Sequence, residues 1–423
     1  MAQLQRYNTD FSMTAVAQLA PETVEFFAQD AQLHPDLLGQ FDFPCRQSSS
    51  LPFVAFDETE IRQITAGAEL VYAALVDSLV LLFDRYQHLI SRFYGAEFVR
   101  HYPEFIKYAE YTYRQNHEAI YGRFDMAYDF DAGKLLCAYE FNGDTPVMLF
   151  ESVQLQHWLL QSLGRESQQC NTWFEAVQQH KDKLFPSGSS IGIIGARSAI
   201  EDALTLETLQ TTLADFNVHL VDISAFEFDS ARQRFSAHDI EFDHVFILMP
   251  WEEMVEASPE VIANWRQWKD NVRFLEPAWR WFIANKGGLA WLYWLLSHSG
   301  EQAFQQQYAQ VLQYLPRSQM SPIGMTDYVS KPLMGRLSAN ISIFQHGQKV
   351  KATAGPYEAT DLLYQEYRPT GKIGTAYGIV GVWMAPWGTD PLTMEAATVC
   401  VRAHDNEVTD IGNERFLPHI ITD

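Results

Sequence analysis

The sequence predicts an α+β protein: an early helical region, a parallel βαβ unit in the middle and a strand-rich final third. Three observations carry this. Ile61, Ile64, Ala68, Val71, Leu75 and Leu79 recur at spacings of three and four, the repeat of one buried helix face. The runs 191–195, 201–216 and 218–223 read as strand, helix and strand, and 244–249 supplies a further strand. Segments 340–344 and 373–384 are rich in β-branched and aromatic residues, which favour sheet.

In order along the chain, residues 1–120 read as helical, with Asp57 and Glu60 supplying a cap and a first-turn acid ahead of the periodic run. A short strand follows at 135–141, bounded by Gly133 and by Gly143-Asp144, and then a helix keyed by Val153, Gln156, His157 and Leu160. Small residues at 187–190 mark the start of the βαβ unit. Gly188, Gly192 and Gly195 are spaced four and three apart, which does not match the dinucleotide fingerprint, so these glycines are read as serving strand–helix packing. One aromatic-rich helix is expected over 279–297. These changes of texture divide the chain into segments 1–120, 121–185, 186–270 and 271–423.

Of the 423 residues, 47% are hydrophobic and 20% charged, a balance that supports a folded core and excludes general disorder. Asp and Glu total 53 against 30 Lys and Arg, a net charge of −23. No Lys/Arg run offsets that field, which argues against a nucleic-acid partner. Cys45, Cys137, Cys170 and Cys400 lie far apart with no CxxC, so neither a zinc site nor a disulfide framework is expected. The first twenty residues lack a basic-then-apolar leader, and the apolar run 70–83 is interrupted by Asp77; the expectation is a cytoplasmic protein with no membrane partner.

Chemistry concentrates in two short clusters. Arg123 and Asp125 stand two apart, as do Glu140 and Asn142. On strands, that spacing puts each polar pair on one face and leaves Phe124 and Phe141 on the other. Paired side by side, the strands would gather Asp125, Glu140 and Asn142 into an oxygen-donor set suited to Mg²⁺, with Arg123 beside it as a phosphate donor; spacing alone equally fits a solvated strand face. Lys286 and Lys331 are lone lysines in apolar or loop contexts. The turn-rich stretch 331–340, including Arg336 and Ser338, could close over phosphates. Gln365 stands in a Tyr364–Tyr367 stretch able to meet an adenine ring and edge, and Arg402 lies in a strand-like run near the end.

The order of these pieces resembles the glutathionylspermidine synthase family. The pieces are Arg123-Phe124-Asp125, Glu140-x-Asn142-x-Asp144-Thr145-Pro146, Pro250-Trp251-Glu252, Glu276-Pro277-x-Trp279, Asn285-Lys286, Lys331-Pro332-x-x-Gly335-Arg336, Gln365-Glu366 and Arg402. The resemblance implies an ATP-grasp fold with ATP between two lobes, built from 121–185 and 271–423, and an inserted pre-ATP-grasp-like α/β subdomain at 186–270. It further implies an ATP-dependent carboxylate–amine ligase using ATP and Mg²⁺ to join a peptide or other carboxylate to a polyamine or other amine. Asp125, Glu140 and Asn142 fall on the family's metal ligands, and Arg123 and Arg402 on its active-site arginines. Lys286, Lys331, Arg336, Ser338 and Gln365 fall on its nucleotide positions, and Glu252 and Glu253 on its amine-side acids.

There are departures. Ser338 stands where the family usually has glycine, and serine restricts the positive-φ conformations that glycine allows. The terminal motif is reduced to Cys400-Val401-Arg402-Ala403-His404-Asp405. The amidase domain of bifunctional members is not recognised: Cys45 is the only cysteine in the first 120 residues and lacks a nucleophile context. The alternative is a protein of the same fold that binds ATP in a regulatory or assembly role without ligation; a non-catalytic polyamine-binding module is a third reading.

Overall fold

The computed structural model describes residues 2–8, 50–357, 361–408 and 414–422; Cys45 lies outside them. The expected helical start is corrected. β1 (Gln3–Asn8) pairs antiparallel with β2 (Ser50–Asp57), and among the described residues the first helix is α1 (Glu58–Asp84). β2 carries four consecutive buried residues, a pattern no one-sided helix shows. Val54 and Phe56 enter one hydrophobic core, while Phe53 and Ala55 enter a second. α1 opens on a capping box: the Glu60 N–H donates to Asp57 at 2.8 Å, and the Asp57 N–H donates to Glu60 at 2.9 Å. Its 27 residues are long and apolar enough to cross a bilayer, but 61% of the most apolar window is buried inside the protein. Val71, Leu75 and Leu79 lie in the core, as the periodicity predicts.

β3 (Arg123–Asp129) and β4 (Lys134–Asn142) form an antiparallel hairpin in which Arg123 faces Asn142, Phe124 faces Phe141 and Asp125 faces Glu140. The two phenylalanines meet on the core side with ring centroids 4.6 Å apart, and the four polar residues share the opposite face. Both irregularities of register, between Asp125 and Met126 and between Ala127 and Tyr128, lie toward the turn. The helix expected near 153 starts as a π-turn, Glu151–Leu155, and continues as α2 (Gln156–Ser162); α3 (Trp173–Leu184) follows.

The βαβ expectation holds. β5 (Ser190–Gly195), α4 (Ile200–Thr212) and β6 (Asn217–Asp222) lead through a small antiparallel sheet, β7 (Glu227–Asp229), β8 (Arg234–Ala237) and β9 (Ile240–Glu241), to β10 (His244–Ile247). After α5 (Trp251–Ala257), β11 (Arg273–Leu275) joins a parallel sheet of order β11-β10-β5-β6. Gly195 serves packing as expected: a Cβ there would sit 2.8 Å from Leu206 of α4.

The single helix expected over 279–297 is broken into α6 (Arg280–Ala284) and α7 (Gly287–His298). Asn285 turns extended (ψ 127°) and its side-chain oxygen accepts the Gly287 N–H at 2.8 Å. Gly287 lies so close to the Phe93 carbonyl that a Cβ would come within 1.8 Å of its oxygen. Next come β12 (Ser318–Gln319), β13 (Tyr328–Pro332), β14 (Ser342–Gln345), β15 (Gln348–Ala352) and β16 (Leu362–Glu366), an antiparallel sheet of order β12-β16-β13-β14-β15. The strand expected from Asn340 begins at Ser342, because Leu337, Ser338 and Asn340 all adopt φ between 53° and 55°.

β17 (Lys372–Ile373) turns at Gly374 (φ 64°) into β18 (Ala376–Pro386), so the strand expected over 373–384 is two strands. β19 (Met394–His404), β20 (Arg415–Leu417) and β21 (His419–Thr422) complete the chain's described strands. The main sheet runs β20-β19-β18-β3-β4 with β17 on β18, and β21 pairs parallel with β2. α1 packs on β4 and β19. The whole is a mixed α/β structure of several sheets.

Candidate active site

The main sheet and the five-stranded sheet face each other across a cavity of about 230 Å³. β3 and β4 place Arg123, Asp125, Glu140 and Asn142 on its floor, and β19 adds Arg402. β13 and β16 supply Lys331 and Gln365 from the opposite side. The β13–β14 loop brings Arg336 and Ser338, and the break between α6 and α7 presents Lys286. Ten of the twelve residues expected from sequence therefore line one cavity.

Asp125 is the hub. Its carboxylate accepts Arg123 Nε at 2.8 Å, lies 2.6 Å from Arg402 Nη2, and accepts Asn142 Nδ2 at 3.3 Å. Burial alone would raise its pKa, but the two guanidinium groups outweigh burial and hold the carboxyl at about 2, ionised throughout the neutral range. Arg123 is fixed further by donating to the Val147 carbonyl at 2.5 Å and lying over the Trp383 ring at 5.4 Å.

Glu140 is also held below the usual carboxylate range: burial opposes ionisation, and Lys286, 2.9 Å away, overcomes it. Lys286 Nζ donates to the Gly335 carbonyl at 2.7 Å, tying α7 to the loop above the cavity. Lys331 is buried and donates to Gln365 Oε1 at 2.8 Å. Burial is the main reason its ammonium is pushed down to about 8, with Glu140 opposing and Lys286 adding to the shift. Beyond Gln365, residues Glu366 to Pro369 line the cavity and lead the chain toward the main sheet.

Arg336 reaches across to two carboxylates. It donates to Asp144 at 3.2 and 3.3 Å, to Glu252 at 2.9 Å and to Thr145 at 3.1 Å. The two acids Glu252 and Glu253 are separated: α5 turns Glu252 inward onto Arg336 and leaves Glu253 exposed on its other side. Neither of these expected amine-side acids lines the cavity, and only Glu252 reaches one of its residues, through Arg336. Ser338 takes φ 55°, the left-handed region that glycine would enter without strain.

Sequence reasoning missed a second group of acids. Glu201, Glu407 and Glu414 line the cavity beside the arginines, and Glu414 lies 2.9 Å from Arg402 Nη1. Burial, reinforced by Glu414, raises the Glu201 pKa; burial pushes nearby Glu151 up to about 8. Glu201 was visible only as a first-turn helix acid, ordinary helix chemistry. Asp144 stood inside the 140–146 motif without an assigned partner.

As a metal set, the floor offers two carboxylates and one amide. No group of three or more His, Cys, Asp or Glu suited to a metal occurs among the described residues. Hard oxygen donors, two of the three groups ionised, are of the kind that would suit Mg²⁺, with Asp125, Glu140 and Asn142 the residues that would hold it.

A family model described as glutathionylspermidine synthase preATP-grasp matches residues 53–422. Over 291 residues the chain is 25% identical to the “Putative acid--amine ligase” of Haemophilus influenzae, covering 65% of this chain and 70% of that protein. Over 300 residues it is 24% identical to trypanothione synthetase of Crithidia fasciculata, covering 65% of this chain and 44% of that protein, less than half its length. The solved structure of a glutathione synthetase-like effector from Globodera pallida, in apo form, superposes with a TM-score of 0.51 at 9% identity, covering 96% of this chain and 100% of that one. The overall fold is thus shared with a glutathione synthetase-like protein, and by its match over residues 53–422 the chain belongs to the glutathionylspermidine synthase preATP-grasp family.

Proposed function

We propose that the protein is an ATP-dependent acid–amine ligase of the ATP-grasp type, forming an amide through an acyl phosphate. The observation that carries this reading is the cavity itself. An ionised Asp125/Glu140 pair with Asn142 is flanked by Arg123 and Arg402, with Lys286 ion-paired to Glu140 and Lys331 entering from the second sheet. Hydroxide is a poor leaving group, so a carboxylate must be activated before an amine can displace it. A substrate carboxylate oxygen attacks the γ-phosphorus of ATP and ADP leaves; the neutral amine nitrogen then attacks the acyl carbon, phosphate leaves with the bonding pair, and the proton lost from nitrogen passes to the departing phosphate.

Lys286 and Lys331 bind and orient the phosphates, and Gln365 sits on the adenine side. Arg123 stabilises the transferring phosphoryl and later the oxyanion of the tetrahedral species, an electrostatic role in a buried site. Asp125, Glu140 and Asn142 would hold Mg²⁺, which when bound neutralises charge on the phosphoryl oxygens. The loop carrying Arg336 and Ser338 excludes water, which would otherwise hydrolyse the acyl phosphate. Glu201, Glu407 and Glu414 give the cavity an anionic end suited to a cationic amine, while the arginines suit a carboxylate. A peptide carboxylate and a polyamine are the substrate classes this reading favours.

The test is ADP release with Mg-ATP across peptides crossed with amines, with products read by mass spectrometry. A condensed amide, abolished in Asp125→Asn, supports ligation and identifies both substrates. ATP that binds and is never turned over with any pair overturns it in favour of an ATP-binding partner of the same fold.

A further inference from the structure

Arg280 is fully buried yet touches no part of the cavity, and its donors are all directed at site-bearing backbone or at groups that hold it in place. Nε donates to the Gly143 carbonyl at 3.0 Å, Nη2 to the Tyr121 carbonyl at 2.6 Å, and Nη1 to the Tyr72 hydroxyl at 2.8 Å. Its ion-pair partner is Glu276, with Nε and Oε2 3.2 Å apart, and Glu276 Oε1 accepts the backbone N–H groups of Ile120 and Tyr121 at 2.9 and 3.1 Å. Residues 120–122 enter β3 immediately before Arg123, and Gly143 leaves β4 immediately after Asn142. Because Arg123 faces Asn142, these are the two open ends of one hairpin.

The approach leaves no free volume. A Cβ on Gly122 would lie 2.3 Å from Arg280 Nη2, and one on Gly143 would lie 2.9 Å from the Phe141 ring. The guanidinium is also wedged between Tyr72, Phe141 and Trp279, at 5.6, 4.8 and 5.4 Å from their ring centroids.

We infer that Arg280 and Glu276 are positioning residues: together they clip the open end of the β3–β4 hairpin, fixing the spacing of the Arg123, Asp125, Glu140 and Asn142 side chains and the departure of the 143–147 segment that holds Arg123 and Arg336. A planar fork with several donors can bridge carbonyls on both strands at once, whereas a lysine ammonium at the same place is a point charge on a flexible stem. The functional half of this inference rests on the ligase reading; the positional half does not.

The test compares wild type with Arg280→Lys, Glu276→Gln and the milder Tyr72→Phe. Val177→Ala, in α3 and the second core, serves as a control for general destabilisation. Amide hydrogen exchange is followed over peptides covering 119–126 and 139–147, and Mg-ATP binding is titrated against Mg²⁺ concentration. The expected result is exchange at least tenfold faster in those two peptides for Arg280→Lys and Glu276→Gln, and smaller changes for Tyr72→Phe. The Mg²⁺ half-saturation point should rise at least threefold in the same order, with neither change in the control. Unaltered exchange at the two strand ends in folded variants, or equal loosening in the control, overturns the positioning role. If Arg280→Lys does not fold, Glu276→Gln and Tyr72→Phe decide. Wild type failing to bind Mg-ATP removes the ligase reading and leaves the exchange comparison to settle the clip.

Discussion

A carboxylate buried between two arginines does two jobs at Asp125. Its folded pKa, about 2, lies below the ordinary Asp value, so its ion pairs stabilise the fold above about pH 4 and are lost as pH falls toward 2. Asp125→Asn is expected to cost about 3 kcal/mol by leaving two guanidinium groups short of an anion, and to lower ADP formation at least a hundredfold; undiminished turnover in a folded variant contradicts the assignment. His419 tests the opposite kind of burial. Its Nε2 accepts the Cys170 N–H at 2.9 Å, and desolvation pushes the imidazole down to about 3. An unfolded histidine protonates near 6.5, so between pH 6.5 and 3 the unfolded state binds the extra proton and stability falls with pH, by up to about 1.4 kcal/mol per unit. His419→Asn keeps an acceptor and removes this dependence. Urea unfolding at pH 7 and pH 5 should show the variant losing about 2 kcal/mol less than wild type; parallel losses refute it.

Elements transmit these demands through backbone shape. At Ser338 the left-handed backbone is strained for any side chain but mildly so for serine. Ser338→Val, β-branched, should destabilise by about 1–2 kcal/mol, while Ser338→Gly should be neutral or stabilising by about 0.5 kcal/mol; chemical denaturation that ranks valine above glycine reverses the argument. The α1 capping box makes a second prediction: Asp57→Ala should lose about 1 kcal/mol, and an unchanged denaturation midpoint would count against the cap. Elements whose cue is local were legible in the sequence, among them the α1 stripe, the βαβ unit and the two i, i+2 polar pairs. What escaped depended on distant partners. β2 became a strand because both its faces are covered, and the 279–297 helix broke because Gly287 presses on Phe93. Likewise Glu252 parted from Glu253 because only one side of α5 faces Arg336, and Glu201 joined the site because α4 aims its first turn at the cavity.

At the scale of the molecule, the cavity draws Arg123, Asp125, Glu140, Asn142 and Arg402 from one sheet and its two lysines from outside that sheet, so bound nucleotide should tie layers together. Mg-ATP at a hundred times its dissociation constant should add about 2.7 kcal/mol to unfolding stability, seen as a rise in melting temperature that EDTA abolishes; a melting point indifferent to Mg-ATP would contradict the site. The strand β2 has a consequence of its own. With Val54 and Phe56 in one core and Phe53 and Ala55 in the other, it is a shared wall rather than a boundary. Neither core can be opened without stripping a face from the other, so calorimetry should record one cooperative melt in place of two. Limited proteolysis should likewise yield nicked but associated chains, with no half of the molecule that survives as a stable fragment.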